Sequence, residues 1–156
     1  MDEVTLSTIL ISDPFCFQIF KGTYPSNEIL KQTYTFPACY VINTSTSHSP
    51  GQHWFVIYME KNCKDQITAQ IFDSLGDTYA ATFLSEALKI SLFGMTINRN
   101  VHRYQGPRSN ACGLFCVYYI KLRCRGLSDK TVLNTLKPNE FARNERIIRQ
   151  FVNMPQ

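Results

Sequence analysis

One stretch constrains this chain more than any other. From Gln105 to Ile120 (QGPRSNACGLFCVYYI) a polar loop with Gly106 and Pro107 passes at once into an almost unbroken apolar run. A segment apolar on nearly every face predicts a helix threaded through a core, with other elements packed on all its sides. At the start of that run stands a thiol, Cys112, where a helix presents unpaired N–H groups and the positive end of its dipole. That field stabilises a thiolate, the nucleophilic form of cysteine. Gln105 precedes it in the loop, and Gly106 and Pro107 can turn its side-chain amide back toward the thiol. A nucleophile beside an amide donor is the pairing that acyl transfer uses.

A chain of 156 residues, 44% of them hydrophobic, is expected to form one domain over residues 1–156 with a core that needs no staples. It opens Met1-Asp2-Glu3, acidic where a secretory signal is basic, and no apolar stretch reaches the length of a membrane span. The expectation is an intracellular, non-membrane protein, and a monomer. The six cysteines lack the paired C-x-x-C spacing of a zinc site, and reduced thiols account for them most simply. A net charge of +4, concentrated late at Lys121, Arg123, Arg125, Arg143, Arg146 and Arg149, reads as solvated helix faces before it reads as a nucleic-acid site.

Along the chain, Val4–Ile11 is compatible with helix or strand, and Phe15–Phe20 alternates as a strand would. Lys21–Pro25 reads as loop, with a short helix possible from a cap at Ser26 or Asn27. Ala38–Ile42 is continuously apolar, as expected of a strand covered on both faces. A Ser/Thr-rich loop containing His48 then delivers the chain to His53. His53–Met59 and Ile67–Phe72 predict an antiparallel hairpin that places His53 opposite Asp73, with boundaries good to about two residues. From Thr78, the residues Ala80, Phe83, Leu84, Ala87 and Leu88 share one helical face, and Met95–Val101 alternates as a half-exposed strand. After the buried helix, Gly126 is a stop, Ser128 or Asp129 caps a short helix to Leu136, and a last helix turns Phe141, Ile147, Ile148, Phe151 and Val152 inward. The fold class is α+β: a central, mostly antiparallel sheet packed on a buried helix that carries Cys112 at its N-terminus, with outer helices around them.

A catalytic thiol needs a base within hydrogen-bond reach and a third group that orients the base, and His53 and Asp73 are the candidates. Each has a plainer alternative. His53 could be an ordinary strand-end histidine, Asp73-Ser74-Leu75-Gly76 a turn with an Asx cap, and Gln105 a loop hydrogen bonder. Cys116 and Cys124, further along the same helix, read as inert apolar residues. His48 lies in the Ser/Thr-rich loop with nothing to hold it, and His102 sits near the end of an exposed strand.

Gly51-Gln52-His53-Trp54, Phe72-Asp73-Ser74-Leu75-Gly76 and the Gln105–Cys116 stretch together resemble the adenain family, the adenovirus maturation proteases, and Lys21–Tyr24 and Ala38–Thr44 extend the likeness upstream. The resemblance implies a cysteine protease fold with catalytic order His, acid, Cys. It makes His53 the base, Asp73 its orienter, Cys112 the nucleophile and Gln105 an oxyanion donor. It also implies substrates that are viral precursor proteins cut at glycine-containing motifs, an enzyme that acts inside the host cell, and activation by a peptide or by DNA. The chain departs from adenain in being shorter. It has no cysteine between Cys63 and Cys112, where adenain's disulfide to its activating peptide forms, which argues against a disulfide-linked activator. The modest basic content carries the DNA expectation only weakly. The wider group includes SUMO-deconjugating proteases, whose acidic motif FDSLG resembles more closely, although Ala111 stands where those enzymes usually carry aspartate. A deconjugating protease of ubiquitin-like modifiers is therefore the second expectation. No metal or organic cofactor is implied.

Overall fold

Strand β3 (Trp54–Lys61) shows why the apolar runs are continuous. Its Phe55, Ile57 and Met59 side chains face one buried layer and Val56 and Tyr58 face another, so both sides of the strand are covered. The computed structural model describes residues 1–44, 53–76 and 84–153. Within them a five-stranded sheet runs in the order β1 (Phe20–Pro25), β2 (Ala38–Asn43), β3, β4 (Ile67–Phe72), β5 (Thr96–Arg99). Five helices accompany it among the described residues: α1 (Glu3–Ser12), α2 (Glu86–Ser91), α3 (Cys112–Cys124), α4 (Asp129–Asn134) and α5 (Phe141–Val152). On one face of the sheet, Cys39, Val41, Val56, Tyr58 and Phe72 pack against α3 and its neighbours. On the other, Tyr40, Ile42, Phe55, Ile57 and Ile71 pack against Leu30 and against Leu88 and Leu92 at α2.

Helix α3 occupies the position its composition demanded. It lies on β3 and is enclosed by α1, α4 and α5, with Phe115 through Ile120 all buried. The Phe72 and Tyr119 rings stack at 4.3 Å with 1° between their planes, which locks the end of β4 to the middle of the helix. Helix α1 begins at Asp2, whose carboxylate accepts the Thr5 N–H at 2.7 Å, and it buries Leu6 and Leu10 against α3.

Several expectations shift. The sheet is mixed rather than mostly antiparallel: β2–β3 and β3–β4 are antiparallel, whereas both edge strands, β1 against β2 and β5 against β4, are parallel. The N-terminal strand is Phe20–Pro25, not Phe15–Phe20. An edge strand tolerates Gly22, at φ 123°, and a terminal Pro25, residues that read as loop. A register irregularity between Phe20 and Thr23 accommodates them. No helix follows Ser26. Of the stripe from Thr78, residues 77–83 lie outside the described part, as does His48; the described helix is Glu86–Ser91, capped by the Ser85 hydroxyl. Strand β5 is only Thr96–Arg99. Gly126 does stop the buried helix, at φ 89°, and Ser128 caps α4.

Candidate active site

His53 immediately precedes β3 and Asp73 immediately follows β4. The ladder pairs Val56 with Phe72, so Asp73 lies across from Phe55, two residues off the sequence-based pairing. Beyond the strand ends the side chains still meet: His53 Nε2–H donates to Asp73 Oδ1 at 2.7 Å, both groups being buried. The turn that follows is built to hold Asp73. Oδ1 also accepts the Leu75 N–H at 2.8 Å, and the Gly76 N–H returns to the Asp73 carbonyl at 3.0 Å. Gly76 has φ 95°, and a Cβ there would press on the Val101 carbonyl oxygen at 3.1 Å, so only glycine suits the position. Asn100 clamps the Asp73 backbone from the other side. Its Oδ1 accepts the Asp73 N–H at 2.8 Å and its Nδ2 donates to the Asp73 carbonyl at 2.7 Å.

With Nε2 committed to Asp73, the other ring nitrogen of His53 is left for Cys112, to which the ring is hydrogen-bonded. Cys112 is the first residue of α3, and its N-cap, Ala111, offers no side-chain acceptor, so the first amides of the helix stay free to act on neighbours. Burial alone would raise the Cys112 thiol; the hydrogen bond from His53 and the backbone N–H groups of Trp54 and Gly113 outweigh it and hold the thiol below its ordinary value. Burial would likewise push the His53 imidazole down, but its hydrogen bonds to Asp73 and Cys112 prevail and raise it to about 9. Both shifts favour a thiolate beside an imidazolium. Cys116, one turn on, is fully enclosed and its thiol is pushed well above the ordinary range by burial. Cys112 keeps 8% of its surface exposed and Cys116 1%, so only the first can meet a substrate.

Gln105 is buried, and both ends of its amide are engaged. Oε1 accepts the Ser74 hydroxyl at 2.6 Å, and Nε2 donates to the Ser109 carbonyl at 2.7 Å. The loop around it is anchored to the last helix, because the fully buried Asn144 of α5 donates to the Tyr104 carbonyl at 3.0 Å and Glu145 accepts the Ser109 hydroxyl at 2.8 Å. The structure thus brings His53, Asp73 and Cys112 into one hydrogen-bonded chain and fixes Gln105 in the loop that feeds the helix. His102 is exposed and lies outside this chain. Sequence reading missed Ser74, Asn100, Ser109 and Asn144. Only Ser74 carried a local signal, its place next to Asp73. Among the described residues no three His, Cys, Asp or Glu side chains are grouped to hold a metal ion.

The sequence profile of the adenovirus endoprotease family matches residues 18–137, a segment that contains all four of these side chains. Among characterised proteins the chain is similar to the protease of human adenovirus B serotype 3, at 25% identity in an alignment of 122 residues that covers 71% of this chain and 57% of that protein. It therefore spans little more than half the length of that relative. Among solved structures, a selenomethionine form of the ASFV protease superposes with a TM-score of 0.56 at 18% identity, covering all of this chain and 68% of that one. The central domain of an uncharacterised Legionella pneumophila protein gives 0.58 at 16% identity, covering 97% and 94%. At such identities the structural likeness speaks for the fold alone, but the profile match runs through most of the sequence, and the chain belongs to the adenovirus endoprotease family.

Proposed function

We propose that this chain is a cysteine endopeptidase, with Cys112 as nucleophile, His53 as base and acid, Asp73 as the group that orients His53, and Gln105 as an oxyanion donor. The observation that carries the reading is the buried Asp73–His53–Cys112 chain of hydrogen bonds at the open start of a helix. In this reading the Cys112 thiolate attacks the scissile carbonyl carbon, and the developing oxyanion takes hydrogen bonds from the Cys112 backbone N–H and the Gln105 Nε2–H. The His53 imidazolium then gives its proton to the departing amine, leaving the peptide's acyl part as a thioester on Cys112. Water, deprotonated by His53, attacks the thioester and releases a carboxylic acid and the free thiol. Nucleophile, acid and oxyanion contacts all come from the polypeptide, so no metal or organic cofactor is needed. The single domain that performs this cuts viral precursor polypeptides at glycine-containing sites during particle assembly, as a monomer inside the infected cell. Among the described residues no helix is long and apolar enough to cross a membrane.

The test is incubation of the protein with capsid and core precursor polypeptides and, in parallel, with SUMO- and ubiquitin-like fusions, with Cys112→Ala as control. Cleavage of precursors that disappears in the control is the expected result. Cleavage of the modifier fusions alone would replace it with deconjugation, and cleavage that survives Cys112→Ala would overturn both.

A further inference from the structure

Ser74, the residue after Asp73, is joined to the Gln105 loop by three hydrogen bonds. Its backbone carbonyl accepts the N–H groups of Tyr104 at 2.8 Å and Gln105 at 2.9 Å, and its hydroxyl donates to Gln105 Oε1 at 2.6 Å. Ser74 is 1% exposed, so these groups have no solvent to turn to. The orientation of the Gln105 amide follows from the chemistry of its two neighbours. Ser109 offers a carbonyl, which only accepts, so Nε2 must face it, at 2.7 Å, and Oε1 must face Ser74. A hydroxyl next to Oε1 must then donate. Nε2 carries two protons and Ser109 takes one, which leaves the second free for another acceptor.

We propose that Ser74 is a positioning residue for the oxyanion donor: with the flip of the Gln105 amide set by the Ser109 carbonyl, the Ser74 hydroxyl fixes its rotation, so that the second Nε2–H is held ready for the substrate carbonyl oxygen as it becomes negative. This inference rests on the protease reading above and adds a link to it. The same short turn carries the orienting acid on Asp73 and the clasp on Ser74, so one loop sets both halves of the site. Without the hydroxyl, Oε1 loses its one side-chain donor among the described residues, and the bond from Nε2 to the Ser109 carbonyl alone holds the amide plane, which can then tilt. Preorganisation of the donor is then lost, whereas the two backbone hydrogen bonds that define the loop remain. Ser74→Ala consequently isolates the hydroxyl, and Ser74→Thr restores it.

The experiment compares wild type, Ser74→Ala, Ser74→Thr, Gln105→Ala and the Ser74→Ala/Gln105→Ala double variant. Three measurements are made on each: kcat and KM for a cleaved precursor peptide, the pH profile of Cys112 alkylation by iodoacetamide, and the side-chain amide signals of Gln105 by NMR. Gln105→Ala is expected to lower kcat on the order of a hundredfold, and Ser74→Ala about tenfold to a hundredfold, each with little change in KM. Adding Ser74→Ala to Gln105→Ala should cost nothing more, Ser74→Thr should recover most of the turnover, and the alkylation profile should stay that of wild type throughout. The two amide protons of Gln105 should be protected from exchange and shifted from free-amide positions in wild type and Ser74→Thr, and should exchange faster and move toward free-amide positions in Ser74→Ala. Equal losses from Ser74→Ala in the presence and absence of Gln105, or a displaced alkylation profile, would show that Ser74 acts through Asp73 or the fold and would overturn the proposal. So would unchanged amide signals in Ser74→Ala. The NMR arm uses no substrate: a clasp seen in a chain that cleaves nothing would sink the protease reading and leave the clasp standing.

Discussion

The two ends of helix α3 both carry buried charged groups, and they are built for opposite purposes. At the N-terminal end Cys112 and His53 become charged only by exchanging a proton, and the thiol reaches the surface. At the C-terminal end Arg123 carries a permanent charge at 3% exposure, with its guanidinium 4.2 Å over the Tyr58 ring. It is hydrogen-bonded to the Tyr119 hydroxyl at 2.6 Å and ion-paired with Glu60 at 2.8 Å. Nearby, Asp13 draws Lys121 and Arg125 to the end of α1, at 3.6 and 2.8 Å. The difference teaches how the reactive end is aligned. The helix from Cys112 to Arg123 rises about 16 Å, and β3 advances about the same distance from Trp54 to Met59. Pinning Arg123 over Tyr58 and Glu60 therefore delivers Cys112 to the His53 end of the strand. One end is locked, and the other holds the pair that exchanges a proton.

Substitutions at the two ends should separate these roles. The largest effect is expected from Cys112→Ala: turnover of any cleaved peptide should vanish while the melting temperature barely moves, which peptide assay and calorimetry would show. Asp73→Asn comes next. Removing the orienter of a serine triad costs on the order of ten-thousand-fold in rate, and the loss here should fall at or below that, because His53 also keeps its bond to Cys112. Unchanged turnover in this variant would take Asp73 out of the mechanism. At the other end, Arg123→Ala should destabilise the fold by about 2–3 kcal/mol, less than the ~3–5 of a fully buried pair because Glu60 remains half exposed. Urea titration would measure it, and Cys112 in the folded fraction should lose part of its low-pH reactivity toward iodoacetamide, because the helix is no longer pinned in line with His53. The smallest effect is Cys116→Ala, expected to cost about 1 kcal/mol of stability and no turnover. A larger catalytic loss from Cys116→Ala than from Cys112→Ala would invert the assignment.

Much of this was legible in sequence where the signal is local. The all-round apolar run announced α3 as a buried helix, and the hairpin spacing brought His53 and Asp73 together despite a two-residue error, because both lie just beyond strand ends where long side chains converge. What escaped depends on distant partners. Lys121 and Arg123 read as charges on a solvated helix face, yet both turn inward to pair, Arg123 with residues of β3 and α4 and Lys121 with Asp13. The directions of β1 and β5 are set by their crossovers, about which strand periodicity says nothing. The Ser74–Gln105 bond joins residues 31 apart in the chain and the Asn144–Tyr104 bond residues 40 apart, and no spacing rule connects such positions.

The central claim is that Cys112 is held as a thiolate by a protonated His53, and the pH dependence of its alkylation tests this most directly. Cys112 is lowered and His53 raised to about 9, so the charged pair should persist from the thiol's depressed value up to about pH 9. Iodoacetamide labelling, followed residue by residue by mass spectrometry, should therefore show Cys112 reacting at lower pH than an ordinary thiol in wild type, with the exposed Cys63 in the same sample as reference. In His53→Ala the onset should move up to the ordinary thiol range or beyond, since burial is then unopposed by the imidazolium. A Cys112 profile identical in wild type and His53→Ala would contradict the account.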